Sequence, residues 1–336
     1  MIRTIRARFP RAAVAATVTT GLLVAGLLWA TPNSAPANTP VLARTAPPPT
    51  TPTTPTTSKT STTSTSAADE QAATAGRGTG VGAGSPASPL VPVRQGVGAV
   101  PDRVMTWNLY APGAGEPENY AAEIAKYRPQ VLGVQEGCKH AVERTVKILA
   151  DRYGLTYQVA YGTARHDRFN CGALGENAYG QAILSAAPIA QAGNQLYTSG
   201  GSEDRAFMWV TTTVGGKQVR IYNTHLAEGR QSTVRAAQVR QLAATLAGKQ
   251  RVIVLGDFNT QPDTPEMAPL WSVGLTDADP KCGWRSTAGC KPTADAGPPR
   301  KKFDYILLSG VKSTGVTVVD SVHSDHDVVY AALSLS

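Results

Sequence analysis

The sequence predicts an α/β sandwich, mixed β-sheets packed with helices, for residues 98–336. Two observations carry this expectation. Predicted strands outnumber predicted helices, and several consecutive strands have no helix between them, which an all-parallel, doubly wound sheet would require. No self-similarity recurs at a fixed period, so a repeat architecture is excluded.

The elements follow in order. Arg103–Leu109 is predicted as a strand, Glu118–Tyr127 as a helix closed by Arg128-Pro129, and Val131–Gln135 as a second strand. Helical periodicity returns over His140–Tyr153, followed by expected strands at Tyr157–Tyr161, Gln181–Ser185, Ala206–Val214 and Gln218–Asn223. A helix over about Gln231–Leu246 leads into the most apolar strand, Arg251–Leu255. Late strands are expected at Tyr305–Leu308, Val316–Val319 and Val328–Leu333.

Composition divides the chain before the first strand. Arg3, Arg6, Arg8 and Arg11 precede an uncharged stretch from Ala12 to Ala30, and Ala35-Pro36-Ala37 offers a cleavage site. Residues 1–37 therefore read as a secretory signal peptide, with an uncleaved N-terminal membrane anchor as the alternative. In both cases the remainder lies outside the cytoplasm. Residues 38–97 form a Pro/Thr/Ser/Gly-rich segment with almost no large apolar side chain, expected as a disordered stalk. Residues 1–97 also hold eight of the 32 Lys/Arg and two of the 24 Asp/Glu. That leaves 24 basic against 22 acidic residues, so the folded part is close to neutral and lacks the concentrated basic character typical of nucleic-acid binders.

Four cysteines in an exported chain favour disulfides. Cys282 and Cys290 flank a short Gly-containing loop and pair by proximity, which leaves Cys138 with Cys171. A zinc site is the rival reading, but no Cys-x-x-Cys spacing or nearby His pair supports it.

The chemistry-bearing residues stand where apolar strands end. Asn108 closes Val104-Met105-Thr106-Trp107, and Glu136 follows Val131-Leu132-Gly133-Val134-Gln135. His225 follows Ile221-Tyr222-Asn223-Thr224, and Gly256-Asp257-Phe258-Asn259 follows Val252–Leu255. Asp304 starts an apolar run, and Ser324-Asp325-His326-Asp327 precedes the last strand. Carboxylates with an amide oxygen suit a hard divalent cation, and imidazoles beside it suit proton transfer. Singly, each residue has a bland alternative: a turn, a cap or a core histidine. Together and in this order they point to one cleft.

The motifs TWN, QEG, YGQAILS, NTHLA, GDFN, FDYILLS and SDHDVVYA resemble those of the endonuclease/exonuclease/phosphatase superfamily, to which pancreatic-type deoxyribonucleases belong. The resemblance covers about Gly98–Ser336 and implies a four-layer α/β sandwich with two mixed sheets face to face and helices outside. It further implies Glu136 as principal metal ligand helped by Asn108, with Asp325 completing the metal or phosphate site. Asp257 and Asn259 would bind the scissile phosphate or a second metal with the attacking water. His326 would be general base or phosphate-binding imidazole, oriented by Asp304, and His225 would act on the leaving group. Pancreatic-type deoxyribonucleases pair the first histidine with a Glu; here Gln181 stands in that place, with Glu176 nearby, so another acid or a neutral role for His225 is expected. Tyr179 is a further phosphate contact by position.

These motifs imply in-line attack of water on a phosphate ester with Mg²⁺, or Ca²⁺ or Mn²⁺, as cofactor. The expected substrate is nucleic acid, with a lipid or small phosphoester as the alternative. Arg165, Arg168, Arg205, Arg230, Arg235 and Arg300-Lys301-Lys302 are expected phosphate contacts, and Trp284 an expected base-stacking residue. A monomer without an obligate protein partner is expected. A catalytically dead surface-displayed binding module is the reading from another class.

Overall fold

The computed structural model describes residues 98–110, 115–172 and 177–335. The expected leader, the stalk and Glu176 lie outside the described residues. Twelve strands and five α-helices are named here in chain order. The first half contains β1 (Val100–Asn108), α1 (Pro117–Tyr127), β2 (Pro129–Cys138), α2 (Lys139–Tyr153), β3 (Gln158–His166), α3 (Arg168–Cys171) and β4 (Ala178–Ser185). The second contains β5 (Gln191–Leu196), β6 (Ala206–Val214), β7 (Lys217–His225), α4 (Ser232–Leu246), β8 (Val252–Asp257), α5 (Ala268–Ser272), β9 (Thr276–Asp277), β10 (Asp304–Ser309), β11 (Lys312–Val319) and β12 (Val328–Ser334).

Two six-stranded mixed sheets result. One has the order β11-β12-β1-β2-β4-β3 and the other β5-β6-β7-β8-β10-β9. The β1/β2 and β7/β8 pairs are parallel, and the remaining neighbours are antiparallel. The layering follows from strands buried on both faces, whose sequences read as continuous apolar runs. In β8, Ile253 and Leu255 join the core between the sheets, while Val252 and Val254 face Val239 and Leu242 of α4. In β1, Val104 faces the inter-sheet core and Met105 and Trp107 face Ile124 of α1 and Leu149 of α2. Three apolar interfaces separate four layers: helices, sheet, sheet, helices. That is the expected sandwich.

Helix ends match local chemistry. Pro117 opens α1, and Arg128 closes it in a left-handed conformation (φ 49°) before Pro129. Elements without a sequence signal are the polar edge strand β5, which pairs only with β6, and the short α3, α5 and β9.

Polar side chains fix how one sheet sits on the other. Asn223 of β7 donates through Nδ2 to the carbonyls of Val134 (2.8 Å) and Ala182 (2.9 Å) in the opposite sheet. Gln135 Nε2 donates to Asn223 Oδ1 at 2.6 Å and to Thr106 Oγ1 at 3.0 Å. Apolar contact is non-directional, whereas these bonds set a lateral register between the sheets. Both disulfides form, Cys138–Cys171 and Cys282–Cys290.

Candidate active site

Strand register builds the site. In the second sheet His225 lies beside Asp257 in the β7/β8 pairing, and Asp257 lies opposite Asp304 in the β8/β10 pairing. One row across three strands thus carries an imidazole and two carboxylates. The first sheet adds Asn108 from the end of β1 and Glu136 from β2, where the β2/β4 register shifts between Val134 and Gly137. Glu136 (φ 56°) and Asn259 (φ 52°) both hold left-handed backbone, a sparse conformation for such residues that aims their side chains into the cleft.

The chain is packed closely behind this row. A Cβ on Gly256 would lie 2.3 Å from the Thr224 carbonyl oxygen. Replacing Gly256 by Ala should therefore push β8 away from β7 and cost about 2–4 kcal/mol of stability, read from denaturant unfolding of the purified variant. An unfolding midpoint like that of the wild type would show that the strands yield without cost.

Asp257 is the hub. Its Oδ2 accepts from Asn108 Nδ2 (3.0 Å) and lies 3.4 Å from His225 Nε2 and 3.6 Å from His326 Nε2. Burial, with the nearby Asp304 charge, pushes its carboxyl up to about 7 against the lowering pull of His326. Asp304 is fully buried, and its backbone N–H donates to Thr293 Oγ1 at 2.9 Å. Asp304 Oδ2 meets His326 Nδ1 at 2.8 Å, while its Oδ1 is buried with no hydrogen-bond partner among the described residues. Burial opposes the His326 cation, but Asp304, Asp257 and Asp325 together hold its pKa well above the ordinary value. The loop bearing His326 is tied to β1: Ser324 Oγ donates to the Asn108 carbonyl (2.7 Å) and Trp107 Nε1 to the His326 carbonyl (3.2 Å).

His225 has the opposite environment. Burial and the adjacent Arg205, His326 and Arg165 charges lower its pKa well below the ordinary value. Arg205 Nη1 lies 2.6 Å from Nδ1 and 2.8 Å from Nε2, and Asn259 Nδ2 lies 3.1 Å from Nε2. The neutral role considered for His225 thus fits its surroundings. Gln181, a substrate contact by its motif position, is buried on β4 with its Nε2 meeting no acceptor among the described residues, and Arg205 and Asn259 flank the His225 ring.

Among the described residues, two groups have the donor geometry for a metal ion: Glu136, His225 and Asp257, and Asp257, Asp304 and His326. The fit to a hard divalent cation is good. Carboxylate oxygens dominate, a buried Asp257 carboxylate gains from a counter-charge, and Asp304 Oδ1 lacks a partner. Asn108 donates its amide nitrogen to Glu136 Oε1 (2.9 Å) as well as to Asp257, so ligation through its oxygen needs a half-turn of the amide. Asp325 belongs to neither group; its carbonyl accepts from the Asp295 amide, and its charge acts on His326.

Around this centre, Tyr179 is buried beneath Arg165 (4.2 Å to the ring centroid) and near Glu136. Of the other expected phosphate contacts, Arg235 pairs with Glu266, Arg300 with Asp295 and Asp327, and Lys302 with Asp277. Those cations serve internal pairs. Trp284 lines a cavity of about 650 Å³ with Trp271, Leu275, Leu308 and Val311, at the end of β10 away from Asp304. Residues not singled out from sequence include Thr293, Asn223 and Glu203, which pairs with both Arg165 and Arg205. Glu203 stands in an irregular Gly-Gly-Ser loop, where no periodicity marks it.

Among curated proteins none matches the chain. Among solved structures, an endonuclease/exonuclease/phosphatase from Beutenbergia cavernae DSM 12333 superposes with a TM-score of 0.57 at 21% identity, covering 70% of this chain and 71% of that one. An endonuclease/exonuclease/phosphatase from Bacteroides vulgatus gives 0.55 at 15% identity, covering 70% and 100%. TDP2 of D. rerio, complexed with single strand DNA product, gives 0.54 at 18% identity, covering 69% and 98%. These likenesses establish the fold. The model of the Endonuclease/Exonuclease/phosphatase family matches residues 105–326, from β1 to His326 itself. The chain belongs to that family and is a metal-dependent phosphoric ester hydrolase.

Proposed function

We propose that the chain is a secreted, Mg²⁺-dependent phosphodiesterase that cleaves nucleic acid by in-line attack of water. The observation that carries this reading is the shared carboxylate: Asp257 joins the Glu136/His225 group to the Asp304/His326 group. Glu136 and Asp257 would hold the ion, with Asn108 spacing them. A bound divalent ion supplies charge neutralisation at the phosphoryl oxygens and makes nearby water more acidic.

The chain's own residues divide the remaining work. His326, fixed by Asp304 at Nδ1, presents Nε2 toward Asp257 and so toward a phosphoryl oxygen held there. Asn259 holds the Asp257 side, its backbone N–H donating to Asp257 Oδ1 at 2.8 Å. His225, uncharged between Arg205 and Asn259, offers a hydrogen bond at the leaving-group side without adding repulsion to the ion. Arg205 supplies the positive charge there. Secretion is supported by the basic and apolar leader sequence and by two disulfides in the catalytic domain. Nucleic acid as substrate is supported by the Arg165/Arg205 side of the cleft.

A substrate panel tests the proposal: DNA, RNA, sphingomyelin, phosphoinositides and bis-p-nitrophenyl phosphate, each with Mg²⁺, Ca²⁺ or Mn²⁺. Hydrolysis of DNA or RNA is expected, abolished by EDTA and restored by excess Mg²⁺. Activity confined to sphingomyelin or phosphoinositides would move the enzyme to lipid substrates, and EDTA-resistant hydrolysis would remove the metal from the reading.

A further inference from the structure

We propose that Arg165 and Arg205 form an anion subsite beside the hydrolytic centre and that Glu203 is its internal occupant, displaced by a substrate phosphate next to the scissile one. The inference rests on the phosphodiesterase reading for the identity of the incoming anion.

The charges are arranged for exchange. Arg165 is paired with Asp167 through Nε (3.2 Å) and Nη2 (2.7 Å), and Glu203 reaches both Arg165 Nη1 and Arg205 Nη2. With Glu203 in place, two arginines face two carboxylates. With Glu203 swung out, one positive charge remains uncompensated on the wall of the cleft. Arg205 is 4% exposed, and its Nε is a buried donor with no acceptor among the described residues. A buried donor without a partner is costly, so a ligand oxygen brought to this wall would recover that cost.

Position gives the anion its place. Arg205 touches His225 with Nη1 and Glu203 with Nη2, so the Glu203 carboxylate sits one guanidinium further out than the imidazole. Arg165 lies over Tyr179, a neighbour of Glu136. An anion at this point flanks the scissile group. A guanidinium fork matches phosphate oxygens as well as carboxylate oxygens, so the two anions compete for the same donors.

Glu203 stands in an irregular segment whose backbone is tied on both sides, so exchange requires only its side chain to swing. Residues 198–204 have no regular structure and include Gly200 and Gly201. Its outer part is anchored to α4, with the Ser202 amide on Gln231 Oε1 (2.7 Å) and the Thr198 amide on Gln241 Oε1 (2.9 Å). Glu203 itself is partly exposed, and among the described residues its side chain bonds only the two arginines. Burial raises its carboxyl pKa despite both arginines, so the carboxylate is not strongly favoured where it sits.

Inorganic phosphate binding to the full chain in saturating Mg²⁺, followed by calorimetry, decides the matter without turnover. Glu203→Gln should bind phosphate about tenfold more tightly than the wild type, and adding Arg165→Gln should abolish the gain. Glu203→Ser serves as the second variant and should give a gain in the same direction. Equal or weaker binding by the Glu203 variants, no binding by any protein, or a gain that survives Arg165→Gln would overturn the proposal. In turnover, Glu203→Gln should lower KM for an oligonucleotide while leaving KM for bis-p-nitrophenyl phosphate, which has one phosphate, unchanged. A wild type inert toward every phosphodiester would sink the functional reading alone, since the phosphate comparison stands by itself.

Discussion

Replacing Asp257 by Asn is expected to cut metal-dependent hydrolysis by about three orders of magnitude while raising the melting temperature measured in EDTA by on the order of 5 °C. Both effects come from one buried carboxylate. Loss of the charge removes the shared point between Glu136/His225 and Asp304/His326. The same loss relieves a folding penalty, because burial pushes the Asp257 carboxyl up to about 7 from an ordinary value of 3.8. A raised carboxyl pKa means stability that is fully present below about pH 4 and lost as pH rises through about 7. In EDTA the wild type should therefore lose stability across that window and the Asn variant should lose less. Mg²⁺ should restore the wild type at pH 8 and leave the variant unmoved. A variant that melts below the wild type at pH 8 in EDTA would show that Asp257 stabilises the fold rather than straining it.

Asp304→Asn is expected to lower kcat by about 10³–10⁴-fold with the fold intact. Asp304 is the residue that fixes His326 Nδ1, at 2.8 Å, and its charge is the largest influence raising the His326 pKa. An amide keeps the shape but not the charge, so the imidazole loses its preferred protonation and orientation together. The His326 resonance, followed by NMR titration, should move to a lower pKa in the variant. An unchanged titration with unchanged kcat would leave Asp304 a structural residue only. Near-ultraviolet circular dichroism serves as the check that Thr293 still caps the start of β10.

What could be read from sequence depended on where burial is two-sided. β8 and β10 are buried on both faces, so each appears as an uninterrupted apolar run whose polar end residue stands out. Asp257 and Asp304 were legible for that reason, and Asn108 and His225 likewise end buried runs. Contacts set by neighbouring strands were not. Phe207 pairs with Thr224, which carries Arg205 alongside His225, and no spacing in the sequence gives that register. For the same reason the motif position of Gln181 does not say which neighbour reaches the His225 ring, and Arg205 does so. β5 escaped because five of its six residues are exposed and it is held by backbone pairing to β6 rather than by an apolar face.

The amides that span the two sheets have a consequence for how activity responds to denaturation. Asn108 and Glu136 come from one sheet and His225, Asp257 and Asp304 from the other, and Asn223 locks the sheets together only when both are complete. Neither sheet alone holds the whole centre. Catalysis is then an all-or-none reporter of the native state: turnover should vanish at the same denaturant concentration as the tertiary signal, and a collapsed intermediate with loose sheets should be silent.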